Sequence, residues 1–166
     1  VRNKYGLEIA YFNDDNLAIS KTWLYEFTAG MKKINMKFCG SVRADDVNEE
    51  ILENMANNGC TFLNMALESA SPETQKLLRR EKCSVEKLKQ SATTAMKYGI
   101  KIRIQNMIGL PVTEPLEDAL LTLKVNQDIN PTDSWVSLYQ PYGGTDLWKY
   151  CINNNLIKND FIANGQ

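Results

Sequence analysis

Five times along this chain a short apolar run leads through a polar turn into an amphipathic helix, and that alternation constrains the fold more than any other feature. The runs are Leu7–Phe12, Met36–Val42, Cys60–Leu67, Ile100–Ile108 and Trp135–Tyr139. Between and after them, apolar stripes recur at helical spacing: Trp23, Leu24, Phe27 and Met31; Ile51, Leu52 and Met55; Leu88, Ala92, Ala95 and Met96; Leu116, Ala119, Leu120 and Leu123; Leu147, Trp148, Cys151 and Ile152. No pair of runs is joined by a hairpin turn, so the strands are expected to pair in parallel through right-handed crossovers, each unit on the roughly 30-residue scale of a βαβ repeat. The fold class is α/β, in one domain over 1–152 with an irregular tail over 153–166. A closed or partial barrel and an open doubly wound sheet both produce this alternation.

In either architecture the βα loops open on one face, at the C-terminal strand ends. Those ends carry Asp14 and Asp15, Arg43, Glu68 and Ser69, the segment from Gln105 through Met107, Ile108, Gly109 and Leu110 to Pro111, and Gln140 before Pro141. Within Tyr98–Pro115 a helix ends at Gly99, Ile100, Ile102 and Ile104 alternate with Lys101, Arg103 and Gln105, and the strand breaks at Gly109-Leu110-Pro111. Thr113 is expected to cap the next helix, with Pro115 in its first turn.

Residue type alone leaves the roles of these groups open. Asp14 and Asp15 fit a turn. Glu68 could accept ribose hydroxyls or an ammonium group, or pair with Arg43 or Arg103; Arg43 could hold a carboxylate bidentately, or pair with Asp45 or Asp46. The basic residues Lys76, Arg79, Arg80, Lys82, Lys87 and Lys89 are interleaved with Glu73, Glu81 and Glu86 and lack aromatic partners, so they read as a solvated face and not as a nucleic-acid surface.

Nineteen basic and 20 acidic residues leave a net charge of -1, which gives no global field toward nucleic acid or an anionic membrane. No apolar run approaches the roughly 18 residues of a membrane span, and a cytoplasmic protein is expected. The absence of histidine removes the usual zinc sites and Ser-His-Asp or Cys-His catalysis. Cys39, Cys60, Cys83 and Cys151 are at least 21 positions apart, too dispersed for C-x-x-C metal spacing, and read as reduced thiols.

Four motifs then converge. Arg43-Ala44-Asp45 followed by E-E-I-L-E-N-M-A-N-N-G, L-E-S-A-S-P-E-T-Q-K-L-L-R-R at 67–80, I-G-L-P-V-T-E at 108–114 and Q-P-Y-G-G-T-D-L at 140–147 resemble the core of the radical S-adenosylmethionine superfamily, closest to the branch often fused to a cobalamin-binding domain. The resemblance implies a partial, TIM-barrel-like (β/α) barrel, in which a [4Fe–4S] cluster reduces S-adenosylmethionine to a 5′-deoxyadenosyl radical. It also implies that Phe12–Asp15 approaches the methionine amino group, that Glu68 and Ser69 contact the ribose or methionyl moiety, and that Met107, Ile108, Gly109 and Leu110 line the adenine. Gln140 and Pro141 would close the adenine side, and Arg43 would be a candidate for the methionine carboxylate.

The chain departs from the family in lacking C-x-x-x-C-x-x-C, and Val112 stands where many relatives have Gly. The simplest expectation is a fragment that begins near the second family strand, holds no cluster and is inactive alone, with S-adenosylmethionine, the cluster and cobalamin belonging to the parent protein. The small-molecule cofactor is then its main partner, the substrate is unassigned, and the unpaired edge at Leu7–Phe12 is open to a second copy. The competing expectation is a complete, non-catalytic α/β module that binds a ligand or partner at its strand ends.

Overall fold

The computed structural model describes residues 2–158. After a four-residue helix α1 (Arg2–Tyr5) the elements are β1 (Ile9–Tyr11), α2 (Lys21–Lys33), β2 (Lys37–Ser41), a 3-10 turn (Ala44–Asp46), α3 (Glu49–Asn57), β3 (Cys60–Glu68), α4 (Pro72–Leu77), α5 (Val85–Lys97), β4 (Lys101–Ile108), α6 (Pro115–Ile129), β5 (Asp133–Leu138) and α7 (Asp146–Asn153). The five strands pair only in parallel, in the order β1-β2-β3-β4-β5, and form a half-barrel with α2, α3, α5 and α6 packed on its outer face. Sequential order in one sheet is what right-handed βα crossovers wound in one direction produce.

Period-2 burial assigns the two faces of the sheet. On β4, Ile102, Ile104 and Asn106 are buried while Arg103, Gln105 and Met107 are half-buried, so the second set lines the concave face. The outer face packs Leu63, Met65, Leu67, Ile102 and Ile104 against Leu52, Met55, Leu88, Ala92 and Ala95 in one apolar cluster. Each large aliphatic side chain buried there contributes about 1.5–3 kcal/mol relative to exposure. Among the described residues no helix is long and apolar enough to cross a membrane.

Helices α2, α5 and α7 start at Ser20, Ser84 and Thr145, each hydroxyl accepting an N–H from the first turn. Thr113 is not a cap: α6 begins after Glu114, and both the hydroxyl and the N–H of Thr113 donate to Glu73. The buried side of α6 also differs from the expected stripe. Leu116, Leu120 and Leu123 are 70%, 55% and 54% exposed, and the helix instead buries Asp118, Thr122, Val125, Asn126 and Ile129. After α7 the chain closes in a turn, with Asn155 and Leu156 N–H groups donating to Ile152 and Cys151 carbonyls. The rest of the expected tail, 159–166, lies outside the described residues.

Candidate functional site

Parallel pairing gathers every strand's C-terminal end along one edge: Asp14 and Asp15 after β1, Arg43 after β2, Glu68 at the end of β3, Gly109–Pro111 after β4, Gln140 and Pro141 after β5. Asp14 and Asp15 are exposed in the turn after β1. Arg43 is engaged by its neighbours, donating from Nε and Nη2 to the two oxygens of Asp45 at 3.1 and 2.7 Å and lying 3.7 Å from Asp46. That bidentate bond holds the Asp45 carboxyl below the usual carboxylate range.

Glu68 stands at a built irregularity. The β3–β4 register slips between Ala66 and Glu68, and Glu68 adopts a left-handed backbone with φ of 63°. For a non-glycine residue such a conformation costs on the order of 1–3 kcal/mol and persists only where its surroundings impose it. Here they do so by hydrogen bonds. The Ser69 hydroxyl donates to Asp118 at 2.6 Å and accepts from Ser71 N–H at 3.0 Å; Ala70 N–H donates to Thr122 Oγ1 at 2.9 Å. The Thr74 hydroxyl also donates to Asp118, and Gln75 Nε2 donates to the Leu67 carbonyl at 3.0 Å and to the Ser69 carbonyl. Ser69 is therefore buried, with its hydroxyl turned into the protein and away from the strand-end edge.

The turn brings Glu68 to Arg80. The guanidinium of Arg80 donates from Nη2 to the Ala66 carbonyl at 2.6 Å, lies with Nη1 3.9 Å from Glu68 Oε1, and keeps a buried Nε with no partner among the described residues. Burial pushes the Glu68 carboxyl above its ordinary pKa, an effect that Arg80 opposes. Glu68 thus pairs with neither Arg43 nor Arg103; Arg103 instead pairs with Asp133 at 2.5 Å and lies over Phe62 and Trp135 on the concave face. Arg80 is no part of a solvated face, since its side chain is only 20% exposed. Helical periodicity carried past Leu77 hides this residue. The left-handed Arg79, φ 55°, reverses the chain and turns Arg80 back toward the sheet.

Along the same strand-end edge, after β4 and β5, opens an apolar cleft of about 550 Å³, lined by Gly109, Leu110 and Pro111 from one loop, Gln140 and Pro141 from the next, and Cys151 from α7. Gly109 has φ of 74°, and a Cβ there would come 2.9 Å from a Leu138 methyl group, so a side chain at this turn would have to displace the cleft wall. The expected adenine wall is brought together at Gly109, Leu110, Gln140 and Pro141. Met107 lies a residue or two below, on the concave face, whereas Ile108 lines an outer groove with Leu120 and Val136. Gln105 shares the concave face and is level with Ala66 and Trp135.

A flexible, polar-ended ligand with an apolar ring suits this donor set: an acidic and a basic group close together, an unpartnered guanidinium N–H, and an apolar slot. S-adenosylmethionine fits on those grounds. An iron–sulfur cluster does not, because among the described residues no three Cys, His, Asp or Glu side chains gather to hold a metal, and the four cysteines are separately buried. Burial pushes the Cys60 thiol up to about 12, far from the thiolate a cluster needs.

Residues 10–123 match the model of the radical SAM superfamily, and the chain belongs to that family. It is 26% identical over 156 residues to a protein of Pyrococcus horikoshii named an uncharacterized methyltransferase, covering 93% of this chain and 34% of that protein, about a third of the relative's length. Among solved structures it resembles the radical S-adenosylmethionine methyltransferase TsrM of Kitasatospora setae, solved with cobalamin and a [4Fe–4S] cluster, with a TM-score of 0.72, 14% identity, and 82% and 28% of the two chains covered. The coproporphyrinogen III oxidase HemN of Escherichia coli, described as a radical SAM enzyme, aligns with a TM-score of 0.70, 19% identity, and 80% and 32% coverage.

Proposed function

We propose that this chain is the cofactor-cradling part of a radical SAM enzyme and that it binds S-adenosylmethionine at its strand ends. The observation that carries the reading is the Glu68–Arg80 pair, whose buried Nε has no partner among the described residues, on the same strand-end edge as the apolar Gly109–Pro141 cleft. Arg80 takes the methionyl carboxylate in preference to Arg43, whose fork is occupied by Asp45. Glu68 accepts the ribose hydroxyls or the ammonium group, Phe12–Asp15 approaches the amino end, and Met107, Gly109, Leu110, Gln140 and Pro141 flank the adenine. S-adenosylmethionine held there would supply 5′-deoxyadenosyl radical chemistry if reduced by a cluster bound elsewhere in the whole protein. The ligands of that cluster lie outside this chain, so the chain alone is catalytically silent.

Two of the similar proteins are named methyltransferases. That favours methyl transfer as the reaction of the whole protein, with cobalamin as a further cofactor. The half-exposed β1 edge, with Ile9 and Tyr11 uncovered, suits pairing with a second copy at high concentration. Titration calorimetry with S-adenosylmethionine tests the central role: binding is expected, and Arg80→Met should weaken it about tenfold to a hundredfold, the range for a charge-assisted hydrogen bond. The purified chain should carry no iron and release no 5′-deoxyadenosine. An iron-loaded preparation that cleaves the cofactor would overturn the reading.

A further inference from the structure

Asp118 belongs to α6 yet is 5% exposed, and it takes no part in lining the cleft. One of its oxygens, Oδ1, receives the hydroxyls of both Ser69 and Thr74. Those donors come from the turn after β3 and from α4, so a single carboxyl on α6 joins three elements. Both hydroxyls are wholly buried, and an aliphatic residue at 118 would leave them without an acceptor. Thr122, one helical turn later, accepts the Ala70 N–H and donates to the Asp118 carbonyl, so the helix grips the same turn twice.

The segment held in this way is the one with the left-handed Glu68 backbone. That conformation is unfavourable for a glutamate left to itself, and a turn released from α6 relaxes it. Relaxation would swing the carboxylate away from Arg80 and into water. We infer that Asp118 is a positioning residue: by fixing Ser69 and Thr74 it sets the Glu68 turn, and so presents the Glu68 carboxylate beside Arg80 on the strand-end edge. This inference rests on the cofactor reading only for what Glu68 then binds.

Two readouts on the 166-residue chain keep the two ideas apart. The first needs no ligand: NMR titration of the Glu68 side-chain carboxyl carbon, assigned with Glu68→Gln. Arg80 is the charged group facing this carboxyl, and burial holds its pKa above the ordinary value. In Asp118→Ala the titration should fall back toward that of an exposed glutamate, and Asp118→Asn, which keeps the accepting oxygen, should restore it. An unchanged Glu68 titration in folded Asp118→Ala would overturn the inference. Should Asp118→Ala fail to fold, Ser69→Ala removes one of the two donors and must move the titration in the same direction; no movement there would equally overturn it.

The second readout is affinity for S-adenosylmethionine. Glu68→Gln and Asp118→Ala are each expected to weaken binding about tenfold, and the double variant also about tenfold, because they break one unit. Losses that multiply to about a hundredfold would contradict positioning through Glu68. If the unsubstituted chain binds no S-adenosylmethionine, the cofactor reading falls while the titration still decides the role of Asp118.

Discussion

Helices α5 and α6 are similar in length and pack side by side on the same sheet, yet they are buried by opposite chemistry. On α5 the covered residues are Leu88, Ala92 and Ala95 with Ser91, an apolar stripe with one hydroxyl donating to the Ala44 carbonyl. On α6 they are Asp118, Thr122, Val125, Asn126 and Ile129, and the leucines face out. Every polar member on α6 has a defined partner. Asn126 exchanges amide hydrogen bonds with Asn106 at 2.9 and 3.3 Å and accepts from Ser134 at 2.9 Å, while Asp118 and Thr122 hold the Glu68 turn. Buried polar groups are tolerated when satisfied and tie down one geometry. The difference teaches that α5 stabilises the sheet, whereas α6 orients the strand ends on which the site is built.

Substitutions can break this contrast, and the largest effect is expected on the apolar side. Leu88→Ala, which empties a wholly buried position, should lower stability by about 2–5 kcal/mol in chemical denaturation. Asn126→Ala should cost about 1–3 kcal/mol, because it strands the Asn106 amide and the Ser134 hydroxyl. Leu123→Gln, on the outward side of α6, should fall within about 0.5 kcal/mol. A loss above 2 kcal/mol there would show that the leucine face is covered and would dissolve the comparison.

The pH dependence sharpens the same contrast. A carboxyl whose pKa is raised on folding favours the native state below the ordinary glutamate range and loses that advantage as pH rises through the raised value. Burial raises Glu68 in this way. Relative to Glu68→Gln, which stays uncharged, the unsubstituted chain should therefore lose stability as pH rises through that value. Parallel stability curves for the two proteins would contradict it.

Much of the fold was legible because its signals are local. The strands follow apolar runs, Ser20, Ser84 and Thr145 cap helices through their own hydroxyls, and Gly99 closes its helix where expected. Strand-end residues could be named because parallel strands put every βα loop on one edge. What stayed hidden depends on partners distant in sequence. Asp118 meets Ser69 across 49 residues and Asn126 meets Asn106 across 20, so a periodicity that counts only apolar residues assigned α6 the wrong face. Arg80 was misplaced because the chain reverses at Arg79, a backbone feature that composition does not announce. Arg43 and Glu68 were each open between a ligand and an ion pair, and only geometry could show that Asp45 occupies the Arg43 fork and that Arg80, named in neither pairing, lies 3.9 Å from Glu68.

The most direct test of the site is hydrogen exchange with and without S-adenosylmethionine, read peptide by peptide. The ligand is expected to protect the amides of residues 68–71 and 109–112 and the segment around Gln140, and to leave the leucine face of α6 unchanged. Protection confined to α6 or to the β1 edge, with the Glu68 turn and the Gly109 loop exchanging as before, would contradict the assignment of these strand ends as the cofactor cradle.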